Sequence, residues 1–101
     1  MTANDFPSLQ VTLSWTLNEL ARAGVDRKSP FRWPVLATSN GIQPEARVIV
    51  LRSFARDERK ALIYTDSRTP KITQLQQNPS ASLVFFDSRS SIQIRASGVA
   101  Q

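Results

Sequence analysis

Apolar residues recur every three or four positions at Leu9, Leu13, Leu17, Leu20 and Ala21. That spacing predicts a helix over residues 7–23 with one apolar face. Pro7 suits the first helical position, Asp5 can help cap it, and Gly24 is placed to end it. Residues 25–34 break the pattern and form a basic connector, with Arg27, Lys28 and Arg32 around Pro30, Phe31 and Trp33. Beyond it the chain turns strand-like. Residues 35–38 lead to the turn dipeptide Asn40-Gly41, and Pro44 closes that loop. Residues 46–54, "ARVIVLRSF", are rich in β-branched side chains and predict one strand. A charged turn over 55–60 precedes a strand at 61–65. Residues 70–77 predict a short helix with Ile72 and Leu75 inward and Asn78-Pro79 as its stop. Residues 82–86 and 92–96 predict two more strands, joined by Asp87-Ser88-Arg89-Ser90. The order predicts a mainly β fold with helices, an antiparallel barrel or α+β sheet with the helices outside.

The bulk properties narrow the chemistry. A chain of 101 residues suits one small domain, and no repeat or linker divides it. Hydrophobic residues at 41 % and charged residues at 21 % are a globular composition. Thirteen Lys and Arg against eight Asp and Glu leave a net charge of +5, which favours anionic partners such as phosphates, nucleotides or nucleic acid. The absence of cysteine excludes disulfides and thiolate metal sites. The absence of histidine excludes Ser-His and Cys-His catalysis, His-ligated zinc and proximal-His haem. No apolar run approaches the ~20 residues of a membrane helix. The N-terminus lacks a signal-peptide layout, so a soluble cytoplasmic protein is expected.

Three stretches concentrate polar chemistry. The first is "YTDSRTPK", residues 64–71, where a strand ends and a helix begins. With Thr69 as cap and Pro70 as first helical residue, the helix start presents unpaired N–H groups that attract an anion. Lys71 adds a charge, and Ser67, Arg68 and Thr69 add donors; the plainer reading is a capped polar turn. The second is "RVIVLR", residues 47–52. In an unbulged strand, Arg47, Ile49 and Leu51 share one side and Val48, Val50 and Arg52 the other, so the two guanidiniums form no single clamp. Each suits a phosphate or carboxylate, or simply reaches water from a strand end. The third is Gln93, which shares a strand face with Arg95 and Ser97, opposite Ile92 and Ile94. That face can read a polar ring edge or be merely wet. Trp15, Trp33, Phe31, Phe85 and Phe86 read as core or interface residues. Asp66 and Asp87 make no convincing acid/base pair.

Four segments in order, "PEARVIVLR", "LIYTDSRTPK", "NPSASLVFF" and "IQIRASGVA", resemble the pyridoxamine 5'-phosphate oxidase family of FMN-binding split β-barrels. The longer "FRWPVLATSNGIQPEARVIVLRSF" fits the same pattern. The nearest likeness is to the oxidase-like branch whose central motif reads TDxRSxK. The resemblance implies FMN bound at a homodimer interface. It implies that Arg47, Val48, Ile49, Val50, Leu51 and Arg52 line the flavin, with Arg47 reaching the phosphate. Tyr64 and Thr65 would lie against the cofactor, Lys71 would bind its phosphate, and Gln93 would contact the flavin. Ser67 and Arg68 belong to the branch motif and imply phosphate-side contacts. Arg52 stands where the oxidases typically carry a lysine that touches both substrate phosphate and FMN. Thr69 keeps the hydroxyl of the motif's serine, and Pro70 replaces an arginine.

The implied chemistry is hydride transfer from a pyridoxamine or pyridoxine 5'-phosphate, or a related substrate, to flavin, with oxygen as acceptor. Family members continue past the position of Gln101 with strands that complete the barrel and the substrate pocket. The chain is therefore expected to hold the N-terminal half to two-thirds of a split barrel. Two alternatives follow: a flavin-binding module without turnover, and a small basic β-domain that binds single-stranded nucleic acid through its charge and Phe85-Phe86.

Overall fold

The computed structural model describes residues 8–64 and 75–101. Its first element is α1 (Leu9–Ala23). The cap is Ser8, whose hydroxyl accepts from the Val11 N–H at 3.2 Å, so the helix starts two residues later than its periodicity predicts; Asp5 and Pro7 lie outside the described residues. The apolar stripe is only half used. Leu20 and Ala23 are buried, whereas Leu9 is 85 % exposed. Gly24 does end the helix, but at φ −70°, without the left-handed turn that usually calls for glycine. Its role is close approach: a Cβ there would lie 2.7 Å from the Ser53 backbone Cα. The Arg32 guanidinium caps the same end, donating to the carbonyls of Ala23 and Gly24 at 3.3 Å each. One charge of the basic connector is thus spent on helix carbonyls.

Six strands follow: β1 (Val35–Ser39), β2 (Pro44–Val48), β3 (Leu51–Ala55), β4 (Lys60–Ile63), β5 (Ser80–Asp87) and β6 (Ile92–Val99). They form an antiparallel four-stranded sheet in the order β2-β1-β5-β6 and a separate β3-β4 hairpin. The described strands do not close into a barrel. Residues 75–77 are helical; the rest of the short helix expected over 70–77 lies outside the described residues.

The β1–β2 turn is as expected. Asn40 Oδ1 accepts from the N–H groups of Ile42 and Gln43, and Gly41 takes φ +95°. The strand expected over 46–54 is different, because it is two strands in two sheets. Ile49 N–H donates to Pro34 O and Leu51 N–H to Arg32 O, both at 2.9 Å, so the segment still runs beside the connector. Pro34 has no N–H to return a bond to Ile49, and the ladder lapses there. β4 starts one residue before its predicted strand and ends at Ile63, and β5 and β6 extend beyond theirs.

The core lies where α1, the connector and both sheets meet. Leu20, Ala23, Phe31, Leu51, Phe85 and Ile92 are buried together, with Trp15, Phe54, Leu83 and Ile94 packed against them. Phe31 sits edge-on between Trp15 (centroids 6.2 Å apart) and Phe85 (6.4 Å). Such pairs contribute about 0.5–1.5 kcal/mol each beyond area burial. Phe31 and Phe85 are therefore core as expected, while Trp33 and Phe86 are exposed. Among the described residues no helix is long and apolar enough to cross a membrane.

Gly24→Ala should destabilise the protein by about 1–3 kcal/mol, because the added methyl meets backbone that cannot rotate away. A lower urea midpoint with an unchanged m-value is the expected reading; an unchanged midpoint would show that α1 and β3 slide apart without cost.

Candidate functional site

The β3–β4 ladder pairs Leu51 with Ile63 and then Ser53 with Leu62, so Arg52 is an extra residue on its strand. This is a β-bulge, which re-aims a side chain. The Arg52 guanidinium lies over the ring of Tyr64, 4.4 Å from its centroid. Tyr64 directly follows β4, so the pair forms at the open mouth of the hairpin. An exposed cation–π contact of this kind is worth about 0.5–1 kcal/mol. Among the described residues Arg52 makes no ion pair.

Arg47 belongs to the other sheet, on β2. In register with Leu36 on the inner face of the large sheet, it donates from Nη1 to Thr38 Oγ1 at 2.8 Å and to Leu36 O at 3.1 Å. Glu45 Oε2 lies 3.7 Å from its Nη2. The two arginines do not share a strand, and Arg52 stands at the bulge. The expected burial alternation nonetheless holds: Ile49 and Leu51 are buried, while Val48 and Arg52 are exposed.

Gln93, Arg95 and Ser97 share the outer face of β6, as expected, with Ile92 and Ile94 turned inward. Gln93 is paired with Phe86, Arg95 with Val84 and Ser97 with Ser82; the last two hydroxyls lie 2.9 Å apart. This outer face is substantially apolar: Val48 is 62 % and Phe86 55 % exposed. β2 and β6 are the two edges of the sheet. Arg47 and Gln93 therefore lie on opposite faces, separated by roughly 14 Å of sheet at the usual strand spacing. Val50 bridges the two sheets in the break between β2 and β3. Thr65, Ser67, Arg68 and Lys71, with the whole of the expected anion cradle, lie outside the described residues.

The structure also shows two open clefts that periodicity did not single out. One, of about 420 Å³, lies between α1 and the β5–β6 turn, lined by Trp15, Glu19, Phe31, Asp87 and Arg89 among others. The other, of about 370 Å³, opens where β1 and β5 diverge beyond the Ala37–Ser82 pair, and is rich in hydroxyls: Thr38, Ser39, Ser80, Ser82 and Ser97. Neither is lined by Arg47, Arg52, Tyr64 or Gln93. The serine alternation in "NPSAS" was the visible trace of the second. Among the described residues no cluster of acids suits a metal ion. Asp87 instead organises its turn, accepting from the Ser90 hydroxyl at 2.8 Å and the Arg89 N–H at 3.0 Å. The Ser90 hydroxyl is the main cause that holds its carboxyl below the ordinary 3.8; partial burial opposes this, and the Arg89 and Ser90 N–H groups and the Arg89 charge add to it.

A family model described as the pyridoxamine 5'-phosphate oxidase FMN-binding domain matches residues 13–101. The chain belongs to that family. It is 31 % identical over 84 residues to a pyridoxine/pyridoxamine 5'-phosphate oxidase of Ehrlichia chaffeensis, an alignment covering 83 % of this chain and 41 % of that protein. It is 39 % identical over 56 residues to the enzyme of the same name from Trichormus variabilis, covering 55 % and 25 %. Among solved structures it resembles a pyridoxamine 5'-phosphate oxidase-related, FMN-binding protein of Nostoc punctiforme (TM-score 0.63, 25 % identity, 94 % of this chain and 46 % of that one). It also resembles PhzG of Burkholderia lata 383, solved with tetrahydrophenazine-1-carboxylic acid (TM-score 0.68, 29 % identity, 95 % and 46 %). The chain spans less than half the length of each of these proteins. The open sheets are thus those of an FMN-binding split barrel, and FMN is the cofactor of this oxidase-like family domain.

Because the Asp87 carboxyl is held low, its contribution to stability is present above pH 3.8 and is lost as pH falls through the lowered folded value. Asp87→Asn should lower the melting temperature at neutral pH, and the gap to wild type should close in strong acid. A gap independent of pH would show that the charge has no part in holding the turn.

Proposed function

We propose that residues 1–101 form one FMN-binding unit of an oxidase that removes a hydride from pyridoxamine or pyridoxine 5'-phosphate, or from a related substrate. The observation that carries this reading is the Arg52–Tyr64 cation–π contact at the hairpin mouth. It sets a cation and a phenol immediately before "TDSRTPK", where hydroxyls and two further cations follow within seven residues. That donor set fits a phosphorylated, planar cofactor.

In this reading Lys71 and Arg47 hold the FMN phosphate, and Ser67 and Arg68 add donors to it. The backbone of Val48, Ile49, Val50 and Leu51 runs along the flavin, with Arg52, Tyr64 and Thr65 against it. When bound, FMN would supply the redox chemistry, as acceptor for the substrate's hydride with oxygen as the final electron acceptor. The protein's own work is to bind, orient and polarise, which requires no histidine.

Gln93 is assigned to the flavin of a second copy. Arg47 and Gln93 occupy opposite faces and opposite edges of one sheet, so one cofactor does not meet both within a single chain. The exposed Val48 and Phe86 give that outer face an apolar surface suited to a symmetric partner. A homodimer with flavin between the subunits reconciles the two placements.

Titration of the protein with FMN should quench flavin fluorescence at micromolar concentration, and the absence of saturable binding would reject this function. Lys71→Ala should weaken FMN more than riboflavin, which lacks the phosphate; equal losses would remove Lys71 from the phosphate. Loaded protein given pyridoxamine 5'-phosphate and oxygen should yield the aldehyde and peroxide, whereas binding without product identifies a flavin-binding module.

A further inference from the structure

We infer that Thr38 is a positioning residue of the flavin-phosphate site, its hydroxyl setting the plane in which Arg47 meets the phosphate; this rests on the FMN-binding function above. Thr38 lies on β1 and is 5 % exposed. Its Oγ1 accepts from Arg47 Nη1 at 2.8 Å, and the Leu36 carbonyl accepts from the same nitrogen at 3.1 Å. Register puts Leu36 opposite Arg47 and Thr38 opposite Glu45, so the guanidinium reaches from its own cross-strand pair toward the next pair on that face. Glu45 is the poorer tether. Its Oε2 stands 3.7 Å from Nη2, beyond hydrogen-bond length, and its side chain is 42 % exposed.

Both N–H bonds of Nη1 lie in the guanidinium plane, so two acceptors on that nitrogen fix the plane as well as the position. One acceptor is a carbonyl held in the sheet. The other is a hydroxyl on a buried, β-branched side chain whose χ1 has little freedom. With Nη1 given to the sheet, an anion that Arg47 holds is met by Nε and Nη2, which point their donors in that same plane. The direction of the fork is then set before the ligand arrives, and the entropy of ordering a long side chain is lost at folding rather than at binding. Without the hydroxyl, Nη1 keeps one acceptor and the guanidinium turns about the Leu36 bond. A brace between β1 and β2 with no part in binding has a different consequence: its loss lowers stability and affects flavins with and without a phosphate alike.

The test titrates each protein with FMN and, separately, with riboflavin, and follows flavin fluorescence at neutral pH. The ratio of the two dissociation constants reads the phosphate alone. Thr38→Val keeps the shape of the side chain and removes its hydroxyl; it should weaken FMN about tenfold and leave riboflavin unchanged. Thr38→Ser, which restores the hydroxyl, should recover most of that loss. In an Arg47→Ala background Thr38→Val should cost FMN nothing further, because the group it positions is gone. Equal losses for both flavins would reduce Thr38 to a brace and overturn the inference, as would an unchanged ratio, a Thr38→Ser protein as weak as Thr38→Val, or a further loss in the Arg47→Ala background. If Thr38→Val fails to fold by circular dichroism, Thr38→Cys, whose sulfur accepts only weakly, is read by the same ratio. Failure of wild type to bind FMN would overturn the proposed function and this inference with it. FMN binding with a ratio that Thr38 does not move overturns this inference alone.

Discussion

Phe31 is the contact on which the arrangement depends. It comes from the connector, belongs to no helix or strand, and is 1 % exposed. Its ring meets Trp15 of α1 on one side and Phe85 of β5 on the other. One side chain thereby ties the helix, the connector and one of the two central strands of the sheet. Leu51, fully buried in the same cluster, fastens the start of β3 to it. The hairpin that carries Arg52 and Tyr64 is therefore oriented by the core, although both of these side chains lie outside it.

The passage from β2 to β3 shows how a local lapse in hydrogen bonding redirects the chain. A continuous strand through residues 46–54 would keep Arg47 and Arg52 in one sheet. Pro34 withholds a donor, the ladder ends, and the chain crosses to a second sheet while Ile49 and Leu51 remain anchored to the connector carbonyls. The bulge then adds one residue to β3. Together these shifts separate the two guanidiniums and give them different work: Arg47 braces β1 through Leu36 O and Thr38, and Arg52 lies on an aromatic ring.

The same architecture leaves the outer face of the large sheet open. Among the described residues no further strand pairs with the edges at β2 and β6, and the outer face bears the exposed apolar side chains of Val48, Phe86 and Val99. Polar residues interleave there, Gln93 and Arg95 among them, so the face combines an adhesive surface with specific hydrogen-bonding groups.

The sequence by itself determined the helix, the strand-forming runs, the Asn40-Gly41 and Asp87-to-Ser90 turns and the sidedness of β6, because each of these is set by residues within a few positions of one another. The ordered motifs also carried the family and its cofactor. Only the tertiary structure decided that residues 46–54 cross between sheets, since the missing donor sits at Pro34, some fifteen positions away at Ile49. It alone decided that Gly24 is required by the nearness of Ser53, and that Arg52 meets Tyr64 while Arg47 and Gln93 face apart. Contacts of that kind arise from strand order, register and packing across long separations in the chain, and the period of a side-chain pattern carries no record of them.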